Sequence, residues 1–234
     1  MSGRYLKKCL WILWHIAWLM LFFQDIKAYT LDTSYRLWTQ ISKQANFKEH
    51  PHWLYFLEGH FRFFSPNHFY DQFIARSALG YQLTPRISIW QGYDWIPTYV
   101  PAQNKLRTEQ RLWQQVIWQI TTSKPYSLSL RSRLEERYFE DQTPWGLRLR
   151  ERILFRVPKY WHQRYTPILS DEVFIAATHS DWINTRVLNQ NRFFIGVGIP
   201  VFKNSELAVG YLNQWVLQNA NNQMNHILCF TLTL

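Results

Sequence analysis

Arginine recurs at every second position in two neighbouring stretches. Arg131, Arg133 and Arg137 share one parity, with Glu135 in the remaining slot. Arg148, Arg150, Arg152 and Arg156 repeat the pattern after a short break. A guanidinium is a permanently charged, planar fork that grips carboxylates and small oxyanions at two points. The chemistry on offer is ion pairing or anion recognition; proton transfer is not, because the group holds its proton.

Other residues bear on other chemistry. A metal site needs converging His, Cys or carboxylates. His50 and His52 flank Pro51 in a turn-like stretch with no third ligand nearby, and His60 sits beside Glu58 and Arg62 as a member of a polar network. A hydrolase needs a nucleophile within reach of a base. Ser132, His226 and Asn213 are the residues on offer, all on the parity opposite the arginines and several strands apart. His179 and Asp181 share one loop without a second acidic pair. Glycine-rich phosphate loops and nucleophile motifs are absent. The expectation is no enzyme, no cofactor and no metal.

Spacing by two means β-strand, since successive side chains point to opposite faces. From Trp53 to Leu234 the alternation reads as strands near 53–64, 72–83, 87–96, 109–121, 126–138, 147–157, 168–177, 189–201, 206–217 and 224–234. A weaker segment at 35–43 (Tyr35, Leu37, Trp38, Ile41) reads as a short strand or a plug. The connections read as short at 84–86, 122–125 and 202–205. They read as longer at 65–71, 97–107, 139–146, 178–188 and 218–223, the contrast found in outer-membrane barrels, with the link at 158–167 intermediate and breaking it somewhat. Ten strands place both chain ends on the short-turn side; twelve is the alternative.

Alternation alone does not say which face is inside. A lipocalin-like barrel puts its apolar face in and a membrane barrel puts it out. Three features favour the membrane arrangement. Lys43, Lys48, Lys105, Lys124, Lys159 and Lys203 all fall outside the ten strands, whereas Arg62, Arg76, Arg111, Arg131, Arg133, Arg137, Arg148, Arg150, Arg152, Arg156 and Arg192 fall within them. Glu58, Glu109, Glu135, Glu172 and Glu206 share the parity of the arginines. Hairpin pairing can set Glu109 opposite Arg137, Arg111 opposite Glu135 and Arg150 opposite Glu172. The other face is apolar and aromatic: Trp53, Tyr55, Leu57, Phe61 and Phe63, then Leu112, Val116, Trp118 and Ile120, then Phe193, Ile195, Val197 and Ile199. Glu136, Glu151 and Asp171 run against this assignment.

The first 28 residues read as a cleaved export signal. Arg4, Lys7 and Lys8 precede an apolar run from Cys9 to Phe23, and a polar stretch ends at Ala28. That leaves an N-terminal segment at 29–52 and a barrel at 53–234. Only Cys229 remains after cleavage, so no internal disulfide forms. The net charge of +10 stays positive without the signal. Export and the lumenal placement of the arginines argue against a nucleic-acid groove.

Five short motifs resemble a bacterial family, domain of unknown function 2490. They are Glu109-Gln110-Arg111-Leu112-Trp113-Gln114-Gln115, the stretch from Leu130 to Tyr138, Asp171-Glu172-Val173-Phe174, Asn191-Arg192-Phe193-Phe194-Ile195-Gly196, and Gly210-Tyr211-Leu212-Asn213-Gln214. The resemblance covers most of 53–234. It implies an outer-membrane-type barrel and no particular activity.

The expected molecule is therefore an all-β, single, antiparallel up-and-down transmembrane β-barrel. Its lumenal charge network is Glu58, Arg62, Arg76, Glu109, Arg111, Arg131, Arg133, Glu135, Arg137, Arg148, Arg150, Arg152, Glu172 and Arg192. Outer-membrane lipid is the expected partner, small anionic solutes are the expected passengers of any open lumen, and the barrel is expected to be monomeric. Two functions fit: a closed structural or interaction barrel, and a narrow anion-preferring pore. A soluble periplasmic ligand-binding barrel and an outer-membrane hydrolase are the alternatives.

Overall fold

Alternating sequence becomes eleven β-strands and, among the described residues, no helix. The structure, a computed structural model, describes residues 31–64, 68–100, 104–121, 126–140, 142–157, 165–178, 187–217 and 221–234. The strands are β1 (Leu31–Asn46), β2 (Trp53–Phe64), β3 (His68–Thr84), β4 (Ile87–Val100), β5 (Lys105–Thr121) and β6 (Ser127–Phe139). They continue with β7 (Gln142–Arg156), β8 (Thr166–Ala176), β9 (Leu188–Pro200), β10 (Glu206–Val216) and β11 (Asn222–Thr233). Consecutive strands are antiparallel neighbours, and β1 closes the barrel by lying parallel to β11. The expected export signal lies outside the described residues.

The strand count corrects the expectation of ten or twelve. Residues 31–46 are one full strand of 16 residues, neither a plug nor a short piece, so the barrel begins at Leu31 rather than Trp53. Its register runs from Leu31 beside Asn222 to Ser42 beside Thr233, and its other edge pairs with β2, from Arg36 opposite Phe64 to Asn46 opposite Leu54. An odd number of strands closes only through one parallel pair, because up-and-down order then brings two strands of the same direction together. The start of β1 and the end of β11 consequently lie at opposite rims. We call the rim where β11 ends the C-terminal rim.

The expected contrast in connection length also fails. β3, β4, β5 and β7 reach further than alternation suggested, through His68, Val100, Lys105 and Gln142. What remains between strands at 65–67, 101–104 and 140–141 is two to four residues, little more than the two-residue turn at 85–86. Asp71, Pro97 and Thr98 read as loop residues yet sit in strands near the rim, where a proline's missing donor is tolerated. Lys43 and Lys105 correct the lysine rule in the same way: they lie in β1 and at the first position of β5, and both are exposed.

Tight turns are chemically specified. At Pro85–Arg86 the Thr84 hydroxyl accepts from the backbone N–H groups of Arg86 (3.2 Å) and Ile87 (3.0 Å). Asn204, in the turn after β9, takes φ 65°, a left-handed conformation that asparagine tolerates better than most residues. Bulges fall between Arg62 and Phe64, between Gln82 and Thr84, and between Gln119 and Thr121. They cluster towards strand ends, where extra twist helps a sheet curl.

The interior holds two apolar clusters beside its charges. One joins Leu54, Trp90 and Trp113, with Ala78 and Ile117 packed against it. The other joins Trp38, Ile227 and Cys229, with Phe194 and Leu212. Both tryptophans of the first cluster lie over a glycine opposite them on the next strand, Gly80 facing Trp90 and Gly92 facing Trp113. A Cβ added at Gly92 would stand 2.1 Å from the Trp113 ring, and one at Gly80 would stand 2.6 Å from Trp90. Glycine at these two positions makes room for the ring.

Candidate functional site

The charged parity faces inward on every strand that carries it. Glu58, Glu109, Arg111, Arg131, Arg133, Glu135, Arg148, Arg150 and Glu172 are all buried, and the remaining arginines of the predicted set line the interior cavity or pair within the network. Glu135 and Asp94 have 0% exposure. A carboxylate so enclosed is tolerable only with cationic partners and hydrogen bonds, and the partners are on the neighbouring strands.

Five carboxylates organise the network. Glu58 accepts from Arg76 (2.9 Å) and from Gln40 (2.6 Å). Arg76 then forks onto Asp94 at 2.7 and 2.8 Å, and the Trp113 indole N–H donates to the same Asp94 at 2.6 Å. Glu109 accepts from Arg111 at 2.7 and 2.8 Å and from Arg137 at 2.5 Å. Glu135 accepts from Arg148 and from Arg150, both at 2.5 Å, with Arg133 at 3.8 Å. Glu172 accepts from Arg150 at 2.8 Å and from Arg131.

The expected register is off by two residues. Glu109 lies opposite Phe139, Arg111 opposite Arg137, and Glu135 opposite Trp113. Arg152, not Arg150, lies opposite Glu172. Two of the expected pairs, Glu109 with Arg137 and Arg150 with Glu172, form nonetheless along diagonals, because the arginine side chain spans the offset. The third does not: Arg111 turns to Glu109 on its own strand and leaves Glu135 to β7. A two-residue slip keeps the parity of every side chain, so the inside assignment survives an error that changes partners.

Tertiary structure adds members that charge counting missed. The Gln115 carbonyl oxygen accepts from Arg133 at 2.7 and 2.9 Å. Arg133 also lies 3.9 Å above the Trp113 ring, and Arg62 lies 4.0 Å above Trp38. Arg62 donates to Gln72 at 2.7 Å. Arg192 stands over Trp38 (5.0 Å) and Phe174 (4.7 Å). At the C-terminal rim the Nη2 of Arg156 donates to both carboxylate oxygens of Glu206, at 2.5 and 2.7 Å, reaching from β7 to β10. A signal for the tryptophans existed: Trp38 and Trp113 sit on the polar parity of their strands, where an apolar ring needs a cation or an amide to lie against.

Packing is uneven across the lumen. The side near β2–β6 is filled by Trp90, Trp113 and Leu54. Beside it a cavity of about 660 Å³ is lined by Val100, Arg107 and Phe139 towards one rim and by Arg156, Glu206 and Thr233 towards the other. Arginines outnumber carboxylates along its wall.

The outer face carries large apolar side chains in the open, among them Leu57 and Ile195, each 53% exposed. Phe61 packs on Phe73 and Trp53 on Tyr81 across neighbouring strands. The three carboxylates that ran against the assignment do face outward. Two have neutral partners: the Ser132 hydroxyl donates to Glu151 at 2.6 Å, and Asn191 donates to Asp171 at 3.0 Å. Tyr211 and His226 share a hydrogen bond of 2.5 Å, and Asn213 donates to Tyr211 at 3.3 Å.

The hydrolase residues are not brought together as a triad. Ser132 on β6 bonds Glu151, whereas His226 on β11 bonds Tyr211. His179 and Asp181 lie outside the described residues. His50 sits in the turn after β1, its N–H donating to the Phe47 carbonyl (3.2 Å), and His52 lies against Tyr81. His60 stands edge-on to Trp38 at 5.3 Å. Among the described residues no cluster of three metal-ligating side chains occurs.

Comparison with known proteins agrees with the motif reading. An uncharacterized protein of Methylorubrum extorquens is 31% identical over 165 residues, covering 69% of this chain and 72% of that protein. No solved structure matches. A family model described as a protein of unknown function, DUF2490, matches residues 35–225. That span takes in the charged barrel interior from β1 into β11, and the chain belongs to the DUF2490 family.

Proposed function

We propose that this protein is an exported β-barrel embedded in the bacterial outer membrane, with a narrow, off-centre, anion-preferring lumen. The observation that carries the reading is its inverted surface: charges are enclosed, and aromatic and aliphatic side chains cover the outside. A soluble barrel would present that outer face to water as an apolar patch far beyond the few hundred Å² a monomer tolerates. In lipid the same face is at home, and a closed ladder leaves no backbone edge unsatisfied. The predicted export signal supports the same location. The arginine excess along the cavity sets the preference for anions. We read the barrel as monomeric and without catalytic activity.

A second reading keeps the membrane and closes the lumen. The enclosed side chains of Asp94, Glu135 and Phe174 and the Arg156–Glu206 pair favour it, and function then resides in the rims.

Cell fractionation and planar bilayers test both. The protein should fractionate with the outer membrane and partition into detergent; recovery in the aqueous phase would sink the membrane placement. Folded, heat-modifiable protein should give a small steady conductance with a reversal potential favouring chloride over potassium. A silent bilayer from the same preparation would select the closed barrel.

A further inference from the structure

Three pairs of arginines face each other directly across neighbouring strands: Arg111 with Arg137, Arg133 with Arg150, and Arg131 with Arg152. Like charges in register repel, so each pair needs an anion. Glu109 serves the first, taking a hydrogen bond from both members. Glu135 serves the second, with Arg150 at 2.5 Å and Arg133 at 3.8 Å.

The third pair is served on one side only. Glu172 pairs with Arg131 and with Arg150. Arg152 lies in register between Arg131 and Glu172, yet among the described residues it makes no ion pair. The buried Nε groups of both Arg131 and Arg152 have no hydrogen-bond acceptor. Both residues line the 660 Å³ cavity. A buried charged donor without an acceptor costs more than almost any other local defect, and here two such donors belong to arginines that are paired in register and whose side chains line the cavity.

We infer that a small dissolved oxyanion, of the phosphate or sulfate class, binds between Arg131 and Arg152 as the acceptor that the chain itself omits. Two guanidinium forks suit a tetrahedral oxyanion better than a halide, because its separate oxygens can each take an N–H. Glu172 limits the site by repelling more highly charged or bulkier anions. The inference deepens the anion-preferring lumen but rests only on the barrel interior, so it stands or falls independently of conduction.

The test is thermal unfolding of the purified, detergent-folded protein, titrated with sodium sulfate or sodium phosphate against sodium chloride at matched ionic strength. The melting temperature should rise with sulfate and with phosphate and then saturate, as binding to the folded state requires. Arg152→Gln should weaken the apparent affinity roughly 10- to 100-fold, the loss expected for one charged hydrogen-bonding group. Lys203→Gln, in an exposed turn, should leave the response unchanged. Ser170→Glu offers a second route if the arginine variant does not fold. Ser170 faces the same cavity and is paired with Leu154, next to Arg152 on its face, so its carboxylate should take the ion's place and abolish the sulfate response. A wild-type protein that answers sulfate and phosphate no differently from chloride would overturn the site, as would an unaltered response in either cavity variant.

Discussion

At the scale of single residues, enclosure decides what a charge is worth. An exposed ion pair contributes little; a buried carboxylate shared by several arginines cannot be removed without stranding them. Glu135 is the sharpest case. Its removal should affect Arg148 and Arg150, which touch it, rather than Arg111, which has Glu109. Glu135→Gln should therefore cost about 3–5 kcal/mol of stability, the usual consequence of breaking a buried pair from one side. Denaturant unfolding of the detergent-folded barrel measures it, and a loss below 1 kcal/mol, on the order of a surface pair, would show that water enters to compensate. The parity of Glu135 was legible in the sequence because strand alternation needs no partner information. Its partners were not, because register depends on bulges and turn closure that leave no periodic trace.

At the scale of elements, β1 is the informative strand. Its sequence alternates weakly, and polar residues such as Thr39, Gln40 and Ser42 on both faces make it read as a short strand or a plug. What makes it a strand is the pair of open edges that β2 and β11 present to it, since each unpaired edge leaves a row of backbone groups unsatisfied. Thr39 lies beside Phe230 in the parallel seam. Cysteines placed at both positions should oxidise to an intramolecular disulfide, because neighbouring strand residues stand within the Cα separation a disulfide accepts. Mobility on non-reducing gels, with mass spectrometry of the linked peptide, reads the outcome. Failure to crosslink in the folded protein would place 31–46 outside the barrel wall. The same open-edge logic explains the strand ends: Asp71 and Pro97 have poor strand character alone but extend ladders already begun by their neighbours.

At the scale of the whole molecule, the uneven filling of the lumen is what the proposed pore turns on. Apolar rings occupy one side, and the charged side retains a cavity whose C-terminal end is lined by Arg156 and Glu206. These two side chains are about a third exposed, 34% and 27%, so their pairing contributes modestly to stability, about 1 kcal/mol or less. Glu206→Gln should loosen this end without unfolding the barrel. In bilayers the variant should conduct more than the wild type and keep its anion preference, since a carboxylate has been removed from a wall already rich in arginine. Equal currents from the two proteins would mean that the limiting constriction lies elsewhere along the cavity.

The sequence by itself determined the class of fold, the face that turns inward and the residues that carry charge there. All three follow from a period of two, which is local and survives any even slip in register. Tertiary structure alone decided the odd strand number, the parallel closure, which carboxylate serves which arginine, and that Arg131 and Arg152 face each other without a full set of acceptors. Those depend on how edges find each other around a closed ring. Closure is a property of the whole chain, and no single segment encodes it.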